Sequence, residues 1–226
     1  AGGGNGFFQI SLAQLGSDAE GSHAVQARSV DAVENGESVR ATTIVVDARA
    51  PRILVTPSGK VYEPAPGTRF ARSSVVYEIK ALDDQGSVVG ANSGMQSLVV
   101  DRMIAPGFTA SRKFAKEGLN KIGIEATDKV GYLTVGNYQV FVDDTAPVTV
   151  AEVPGSASNG IERFAPGGSS LNLDATDNAA GVKSMGTRLF RDGVRADGGS
   201  GVEFVENAGG SVSFALGTEG RWRVEF

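Results

Sequence analysis

A six-residue pattern, Val-Asp-x-x-Ala-Pro, occurs twice in this chain and constrains its fold more than any other feature. The two copies are residues 46–51 and 142–147, and their prolines lie 96 residues apart. A repeat of that length is about the size of one small domain. The sequence therefore predicts an array of domains joined at these two segments, called the linker segments below.

A second repeated segment precedes each linker and has the pattern of a β-strand. Residues 21–31 match residues 118–128 at an offset of 97. In the second copy Ile122, Ile124 and Ala126 share one face, while Lys121 and Glu125 lie on the other. Alternation with a period of two is typical of a strand that is buried on one side. Each copy is followed by a glycine-containing turn and another strand, as expected for a hairpin.

The prolines of the linker segments predict domain boundaries, because proline cannot donate a hydrogen bond within a central strand. We expect the second half of a first domain in 1–47, a complete domain in 48–143, and a third domain in 144–226 that lacks its last strand. Residues 220–226 begin a third copy of the repeated strand. The ends, Phe7–Leu15 and Arg221–Phe226, would then be edge strands whose partners lie in neighbouring sequence or are donated by another molecule.

The early part of each repeat also predicts strands. Residues 73–86 resemble residues 169–181, and both alternate apolar and polar residues ahead of an acidic turn. Residues 75–82 also fit a helical spacing, but their β-branched content favours a strand. Residues 185–190 lead into Asp192-Gly193, a hairpin signal. Short strands between glycine-rich turns, in about 96 residues, predict an all-β fold of tandem immunoglobulin-like β-sandwiches.

Composition excludes several classes of function. The net charge of −5 and the scattered basic residues argue against binding to nucleic acid or to an anionic membrane surface. The chain has no cysteine, which removes disulfides and thiolate chemistry. No apolar run approaches the roughly 20 residues of a membrane helix, so we expect no membrane insertion.

The quoted segments resemble bacterial immunoglobulin-like (Big-type) tandem repeats of surface and adhesin proteins. Residues 126–147 are similar to the closing strands and linker of such repeats, and residues 169–193 to their second and third strands. The first copy departs from the pattern at Ser29-Val30 and at Ala48-Arg49. The resemblance implies an exported protein, at the cell surface, outside the cell or in the periplasm, in which the repeats act as spacers or binding modules.

The residues do not favour an enzyme. The only histidine, His23, corresponds to Asn120 and Trp222 in the other copies, so the position carries no common chemistry. No serine lies in a nucleophile-elbow motif. The acidic pairs Asp83-Asp84 and Asp143-Asp144 lie in predicted turns, where aspartate commonly shapes the backbone. The glycines of residues 2–6 lack the lysine of a phosphate-binding loop.

Calcium is the one cofactor for which the sequence offers candidates. Calcium takes six to eight oxygen ligands, often from carboxylates. The second linker segment supplies Asp143 and Asp144. The other candidates flank turns before and after it: Asp128, Asp177 and Asn178. The alternative is a set of solvated acidic turns, and Asp128 and Asp177 need not lie at the same end of a domain as the linker.

The leading interpretation is a spacer segment of a bacterial surface or fibrous protein. Its partners would be neighbouring immunoglobulin-like domains of the same chain, or further copies in a fibre. One alternative is a module that binds a glycan or a host protein through exposed aromatic residues; the candidates are Phe7, Phe8, Tyr62, Phe70, Phe108 and Trp222. Trp222 alternates with Val224 and Phe226, which favours a core position for it. Another alternative is an accessory region of a secreted hydrolase.

Overall fold

The computed structural model describes residues 20–83, 91–196, 202–203, 210–217 and 219–226. In chain order the strands are β1 (Gly21–Ala27), β2 (Arg40–Val46), β3 (Arg52–Pro57), β4 (Val61–Ala65), β5 (Thr68–Ala71), β6 (Val76–Leu82), β7 (Met95–Val100), β8 (Met103–Ile104), β9 (Thr109–Lys113), β10 (Gly118–Asp128), β11 (Leu133–Val142), β12 (Val148–Glu152), β13 (Ala157–Ser158), β14 (Arg163–Phe164), β15 (Ser170–Thr176), β16 (Gly186–Arg191), β17 (Val194–Arg195), β18 (Val202–Glu203), β19 (Gly210–Ala215) and β20 (Trp222–Glu225). One 3₁₀ turn spans Pro106–Phe108. The predicted all-β class is confirmed: the chain forms several open, sandwich-like sheets, and no α-helix occurs among the described residues.

The described residues fall into two units. The first contains residues up to Val61 together with Ser74–Ala115 and Leu119–Val140. Its strands form the antiparallel hairpin β1-β2, a three-stranded sheet in the order β3-β6-β9, and a further sheet in which β10 lies between β11 and β7, with β8 beyond β7. Both larger sheets turn alternate side chains inward, since Tyr77 and Ile79 of β6 and Leu98 of β7 are 0–1% exposed.

The second unit contains Tyr62–Ser73, Lys116–Gly118 and the described residues from Phe141 onward. Its main sheet has the order β12-β15-β19, and a second sheet has β16 paired with β17, β18 and β20. Strands β4 and β5 also belong here, with β5 pairing in parallel with the end of β11. The core is centred on Leu171, Leu173, Ala175 and Met185, and Trp222 and Val224 of β20 are half-buried.

Individual elements agree closely with the alternation in the sequence. The predicted strands in 118–128 and 169–176 are confirmed as β10 and β15, and Val76–Leu82 forms the strand β6 rather than a helix. The predicted hairpin at Asp192-Gly193 joins β16 to β17. The first copy of the repeated strand is shorter than β10. β1 ends at Ala27, and the residues between it and β2 form only an isolated bridge between Val30 and Gly36.

The two predicted edge strands have different outcomes. Phe7–Leu15 lies outside the described residues. Residues 222–225 form β20, which pairs along one side with β16. Trp222 and Val224 are half-buried, and Val224 packs against the core of the second unit, whereas Phe226 is 57% exposed. Among the described residues no helix is both long and apolar enough to span a membrane.

Two glycines of the second unit allow a matched test of its packing. A Cβ on Gly210 would lie 2.9 Å from the Ala175 Cβ and 3.1 Å from the Ala175 carbonyl oxygen, whereas a Cβ on Gly186 would have no neighbour within 4 Å. We expect Gly210→Ala to destabilise the unit by about 1–3 kcal/mol, because β15 and β19 must separate. Gly186→Ala should be neutral or slightly stabilising, because alanine restricts the unfolded chain.

Urea unfolding of both variants, followed by circular dichroism, measures the difference. Equal midpoints for Gly210→Ala and Gly186→Ala would contradict the close approach of β15 and β19 at this position.

Candidate metal centre

Three aspartates of the first unit bring their side chains together in one group, called the acidic cluster below. Asp47, Asp83 and Asp128 each contribute a carboxylate oxygen, and these oxygens lie within 4.8 Å of one another. Asp128 is fully buried and Asp47 is 8% exposed, while Asp83 is half-buried. The carboxyl groups of aspartate are normally exposed to water at the protein surface. Three of them in a largely buried group therefore require a physical explanation.

The ends of two strands place two of these carboxylates. In β6 the buried side chains are Tyr77, Ile79 and Ala81, and Asp83 continues the same alternation just after the strand. In β10 the inward row is Ile122, Ile124 and Ala126, and it ends at Asp128. The pairing of β10 with β7 shifts register between Thr127 and Asp128, as at a β-bulge. Each inward row therefore ends in a carboxylate instead of an apolar side chain.

Asp128 holds the turn that follows β10 with one of its two oxygens. Its Oδ1 accepts backbone hydrogen bonds from Val130 at 3.0 Å, Gly131 at 2.7 Å and Tyr132 at 2.9 Å. Gly131 has a φ of 98°, which explains why glycine occupies this turn. The other oxygen, Oδ2, is buried and has no hydrogen-bond partner. A buried side-chain oxygen without a hydrogen-bond partner is rare and costly.

Asp47 and Asp83 are held by the same two loop residues. The Ser93 N–H donates to Asp47 Oδ2 at 2.7 Å, and the Gly94 N–H donates to Asp83 Oδ2 at 2.6 Å. The Arg49 N–H also donates to Asp47 Oδ1 at 3.2 Å, which closes a turn at the start of the linker segment. The loop at Ser93-Gly94 thus positions both carboxylates side by side.

The pKa values reflect these surroundings. Burial raises the pKa of Asp83, and the negative charges of Asp47 and Asp128 raise it further, despite the hydrogen bonds from Gly94 and Ser93. Burial also raises the pKa of Asp47, but the hydrogen bonds from Ser93 and Arg49 outweigh that effect, so the net pKa is lowered. Two like charges about 4 Å apart repel by about 4 kcal/mol at an effective dielectric constant of 20. The cluster is therefore electrostatically unfavourable when all three groups are ionised.

No lysine or arginine among the described residues forms a salt bridge with the acidic cluster. The ion pairs of the first unit join other groups, such as Arg112 with Asp101 at 3.0 Å and Arg49 with Glu20 at 2.9 Å. The lysine nearest in sequence, Lys129, donates its backbone N–H to the Gly94 carbonyl at 2.9 Å, and its Nζ lies 3.3 Å from the point where a Cβ on Gly94 would stand. Asp47, Asp83 and Asp128 therefore form no salt bridge with any side chain that the structure describes.

The second linker segment repeats part of this arrangement in the second unit. Asp143 Oδ1 accepts from the Thr145 N–H at 3.2 Å, and its Oδ2 accepts from the Ala180 N–H at 2.8 Å. Asp177 Oδ2 accepts from Ala179 at 3.0 Å and Gly181 at 2.8 Å. These backbone hydrogen bonds, with a further one from Ala180 and one involving Asp143, lower the pKa of Asp177 against the effect of burial. Both oxygens of Asp143 and one oxygen of Asp177 therefore accept backbone hydrogen bonds.

The remaining residues predicted for calcium at this linker are separately engaged. Asp144 Oδ1 accepts from the Ser73 N–H at 3.0 Å and lies 3.9 Å from Arg72 Nε. Asn178 contributes to the hydrogen bonds that lower the pKa of Glu117, of which the largest is the one from Thr145. Glu117 was absent from the sequence prediction. Calcium at the second linker segment stays a prediction.

The structure thus groups the predicted residues differently from the sequence interpretation. Asp143, Asp144, Asp177 and Asn178 lie in the second unit, whereas Asp128 belongs to the first and lies beside Asp47 and Asp83. Sequence reasoning missed Asp47 and Asp83 as ligand candidates. The signal was present: Asp47 is the repeat counterpart of Asp143, and Asp83 follows the inward row of β6.

The other candidate residues show no comparable chemistry. His23 lies within the β1-β2 hairpin, opposite Ile44. Of the aromatic residues considered for ligand binding, Tyr62 is 51% exposed and lies 6.3 Å from Phe70, which stacks on Phe141 at 5.4 Å. Phe7 and Phe8 lie outside the described residues.

Comparison of the chain with protein-family models and with curated proteins found no match.

Proposed function

We propose that this chain is a spacer segment of an exported bacterial surface or fibrous protein, built from tandem immunoglobulin-like sandwiches. The observation that carries the proposal is the repeated anchoring of the linker segments. In each copy the linker aspartate, Asp47 or Asp143, accepts one hydrogen bond from the backbone N–H two residues later in the chain. It accepts another from a backbone N–H in a loop of the following repeat. A spacer needs such anchored joints, because a loosely tethered array does not hold its far end away from the cell.

The distances of the two anchors support this argument. The local bond is 3.2 Å long in both copies, from Arg49 to Asp47 and from Thr145 to Asp143. The longer-range bond is 2.7 Å from Ser93 to Asp47 and 2.8 Å from Ala180 to Asp143. The same carboxylate thus shapes the linker backbone and ties it to a loop of the following repeat. Two copies of one joint are what a repeating spacer requires.

The sheets that follow the two linker segments also correspond. After the first, the order is β3-β6-β9; after the second, it is β12-β15-β19. Arg52 faces Leu82 in the first sheet and Val148 faces Thr176 in the second, each one residue after the linker proline. This agreement in strand order supports two copies of one domain type.

A surface-display experiment tests the proposal. The chain is inserted between a membrane anchor and an affinity tag on a bacterial surface, and the tag's access to antibody-coated beads is measured. We expect higher access than with a Gly/Ser linker of 226 residues. The double variant Asp47→Ala and Asp143→Ala should reduce access, because both anchors are lost.

The control is Asp101→Ala, which removes an aspartate that pairs with Arg112 and takes no part in a linker. Equal access for the chain, the Gly/Ser linker and the double variant would refute the spacer function. Binding of the purified chain to a glycan or host protein, with loss of binding in Tyr62→Ala, would instead favour the ligand-binding module.

A further inference from the structure

We propose that Asp47, Asp83 and Asp128 bind one calcium ion, with the buried Asp128 Oδ2 as its central protein ligand. This proposal concerns the acidic cluster alone and does not depend on the spacer function. It also differs from the calcium site that the sequence predicts at the second linker segment, since only Asp128 is common to both.

The first argument is geometric. Calcium lies about 2.3–2.6 Å from each oxygen ligand, so two oxygens on opposite sides of it are about 4.6–5.2 Å apart. The three carboxylate oxygens of the cluster lie within 4.8 Å of one another. Three oxygens at most 4.8 Å apart lie no more than about 2.8 Å from a common centre, so one ion can contact all three after shifts of a few tenths of an ångström.

The second argument comes from the hydrogen bonds. Asp128 uses Oδ1 for three backbone donors, and its Oδ2 is buried and has no partner. The repeat provides a direct contrast at Asp31, the counterpart of Asp128 in the first copy. Asp31 Oδ1 also accepts backbone bonds, from Val33 and Asn35, but its Oδ2 accepts from the Asn35 side chain at 2.9 Å. Asp128 lacks that donor, and a cation would satisfy the oxygen instead.

The third argument is charge. The cluster brings three carboxyl groups within 4.8 Å of one another, with no salt bridge to a described lysine or arginine. A divalent cation removes the repulsion between them and compensates for the burial of Asp47 and Asp128.

The ligand chemistry selects calcium among the divalent ions. All three groups are carboxylates, the chain has no cysteine, and its one histidine lies in the β1-β2 hairpin. That set excludes the nitrogen and sulfur ligands typical of zinc and copper sites. Magnesium keeps most of its water and usually binds one or two carboxylates, whereas calcium accepts several carboxylates in irregular geometry. Water would complete the coordination at the half-buried Asp83 side.

The test uses the full chain after removal of metal ions with a chelating resin. Calcium is titrated by calorimetry, and the melting temperature is measured with calcium, with magnesium and with EDTA. We expect one calcium site in the first unit and a melting temperature that rises with calcium concentration, because the ion binds only the folded state. Magnesium at the same concentration should give a much smaller rise.

Two variants locate the site. Asp128→Asn should abolish calcium binding, and its amide oxygen can still accept the turn hydrogen bonds. Asp83→Asn should also abolish binding, and without calcium it should melt at or above the temperature of the wild type, because one of three repelling charges is removed. Near-ultraviolet circular dichroism confirms that both variants are folded. Asp31→Asn is the matched control and should keep full calcium binding.

Three results would overturn the proposal. The first is a wild-type chain that shows neither calcium heat nor a rise in melting temperature, which would mean that a proton shared between carboxyl groups satisfies the cluster. The second is calcium binding that persists in Asp83→Asn and Asp128→Asn. The third is binding that is lost in Asp143→Asn but retained in Asp83→Asn, which would place the ion at the second linker segment.

Discussion

Replacing Leu98 with alanine is expected to lower the free energy of unfolding of the first unit by about 2–5 kcal/mol. Leu98 is fully buried in β7 and faces Ala126 of β10, which is also fully buried. The small partner cannot fill the space that leucine leaves, so the loss combines the transfer of apolar surface to water with the cost of a cavity. This is a large fraction of the 5–15 kcal/mol that typically stabilises a domain.

The chain offers leucines that turn this prediction into a matched series. Leu173 is fully buried in β15 of the second unit, while Leu54 on β3 is 37% exposed. Leu173→Ala should cost about as much as Leu98→Ala, and Leu54→Ala should cost less than about 1 kcal/mol. Urea unfolding, with scanning calorimetry to separate transitions, measures all three. If the two units unfold independently, each core variant lowers only one transition.

Two outcomes of this series would contradict the prediction. A Leu54→Ala variant as damaged as Leu98→Ala would show that the burial pattern of the first unit is wrong. A Leu98→Ala variant that lowers every transition equally would contradict independent unfolding of the two units.

The strands could be predicted from the sequence where one face is buried. In β10 and β15 the period-two pattern is clean because apolar residues alternate with polar ones, and both strands form where the pattern places them. The hairpin at Asp192-Gly193 was predictable because its turn residues adopt the required backbone, with φ values of 48° and 82°. The alternation and the turn residues depend only on neighbouring positions in the chain, so both can be recognised in the sequence.

The partners of the strands could not be predicted in the same way. The parallel contact of β5 with the end of β11 involves only two residue pairs, Phe70 with Phe141 and Ala71 with Val142. Pairing between distant segments depends on the folded arrangement rather than on the periodicity of either strand. β1 also ends earlier than the sequence pattern predicts, at Ala27. Its last side chains are more exposed than those at the corresponding positions of β10, so burial stabilises the strand less.

The candidate site was predictable in part. The inward row Ile122, Ile124 and Ala126 continues to Asp128 by simple alternation, so its burial follows from the strand pattern. The row before Asp83 gives the same signal in β6. What sequence could not supply is the meeting of these two row ends with Asp47, because that meeting depends on the Ser93-Gly94 loop, whose backbone holds Asp47 and Asp83 together.

The second large effect concerns Tyr77 at high pH. Tyr77 is 1% exposed, packs against Phe114 at 5.6 Å and Tyr138 at 5.4 Å, and its hydroxyl is buried without a hydrogen-bond partner. Burial raises the pKa of Tyr77 to about 12, and the neighbouring Tyr138 adds to the increase. In the unfolded chain a tyrosine ionises near pH 10. The folded state therefore holds this proton more tightly than the unfolded state does.

The sign of the pH dependence follows from linkage. The contribution of Tyr77 to stability is fully present below about pH 10 and is lost as the pH rises toward 12, because only the unfolded state then releases the proton readily. Tyr77→Phe removes this term and also removes a buried hydroxyl that has no partner, whose desolvation costs about 1–3 kcal/mol. We expect the variant to be as stable as the wild type or more stable at pH 7, with an advantage that widens between pH 10 and 12.

Urea midpoints at pH 7, 9, 10 and 11 measure the effect, with Tyr62→Phe as the control because Tyr62 is 51% exposed. The stability of Tyr62→Phe should follow that of the wild type throughout, whereas the gap between Tyr77→Phe and wild type should grow with pH. A constant gap would mean that the Tyr77 hydroxyl is hydrated in the folded state. A lower stability of Tyr77→Phe at pH 7 would mean that the hydroxyl has a hydrogen-bond partner. Either result would contradict a dry, unpartnered hydroxyl between the aromatic side chains of Phe114 and Tyr138.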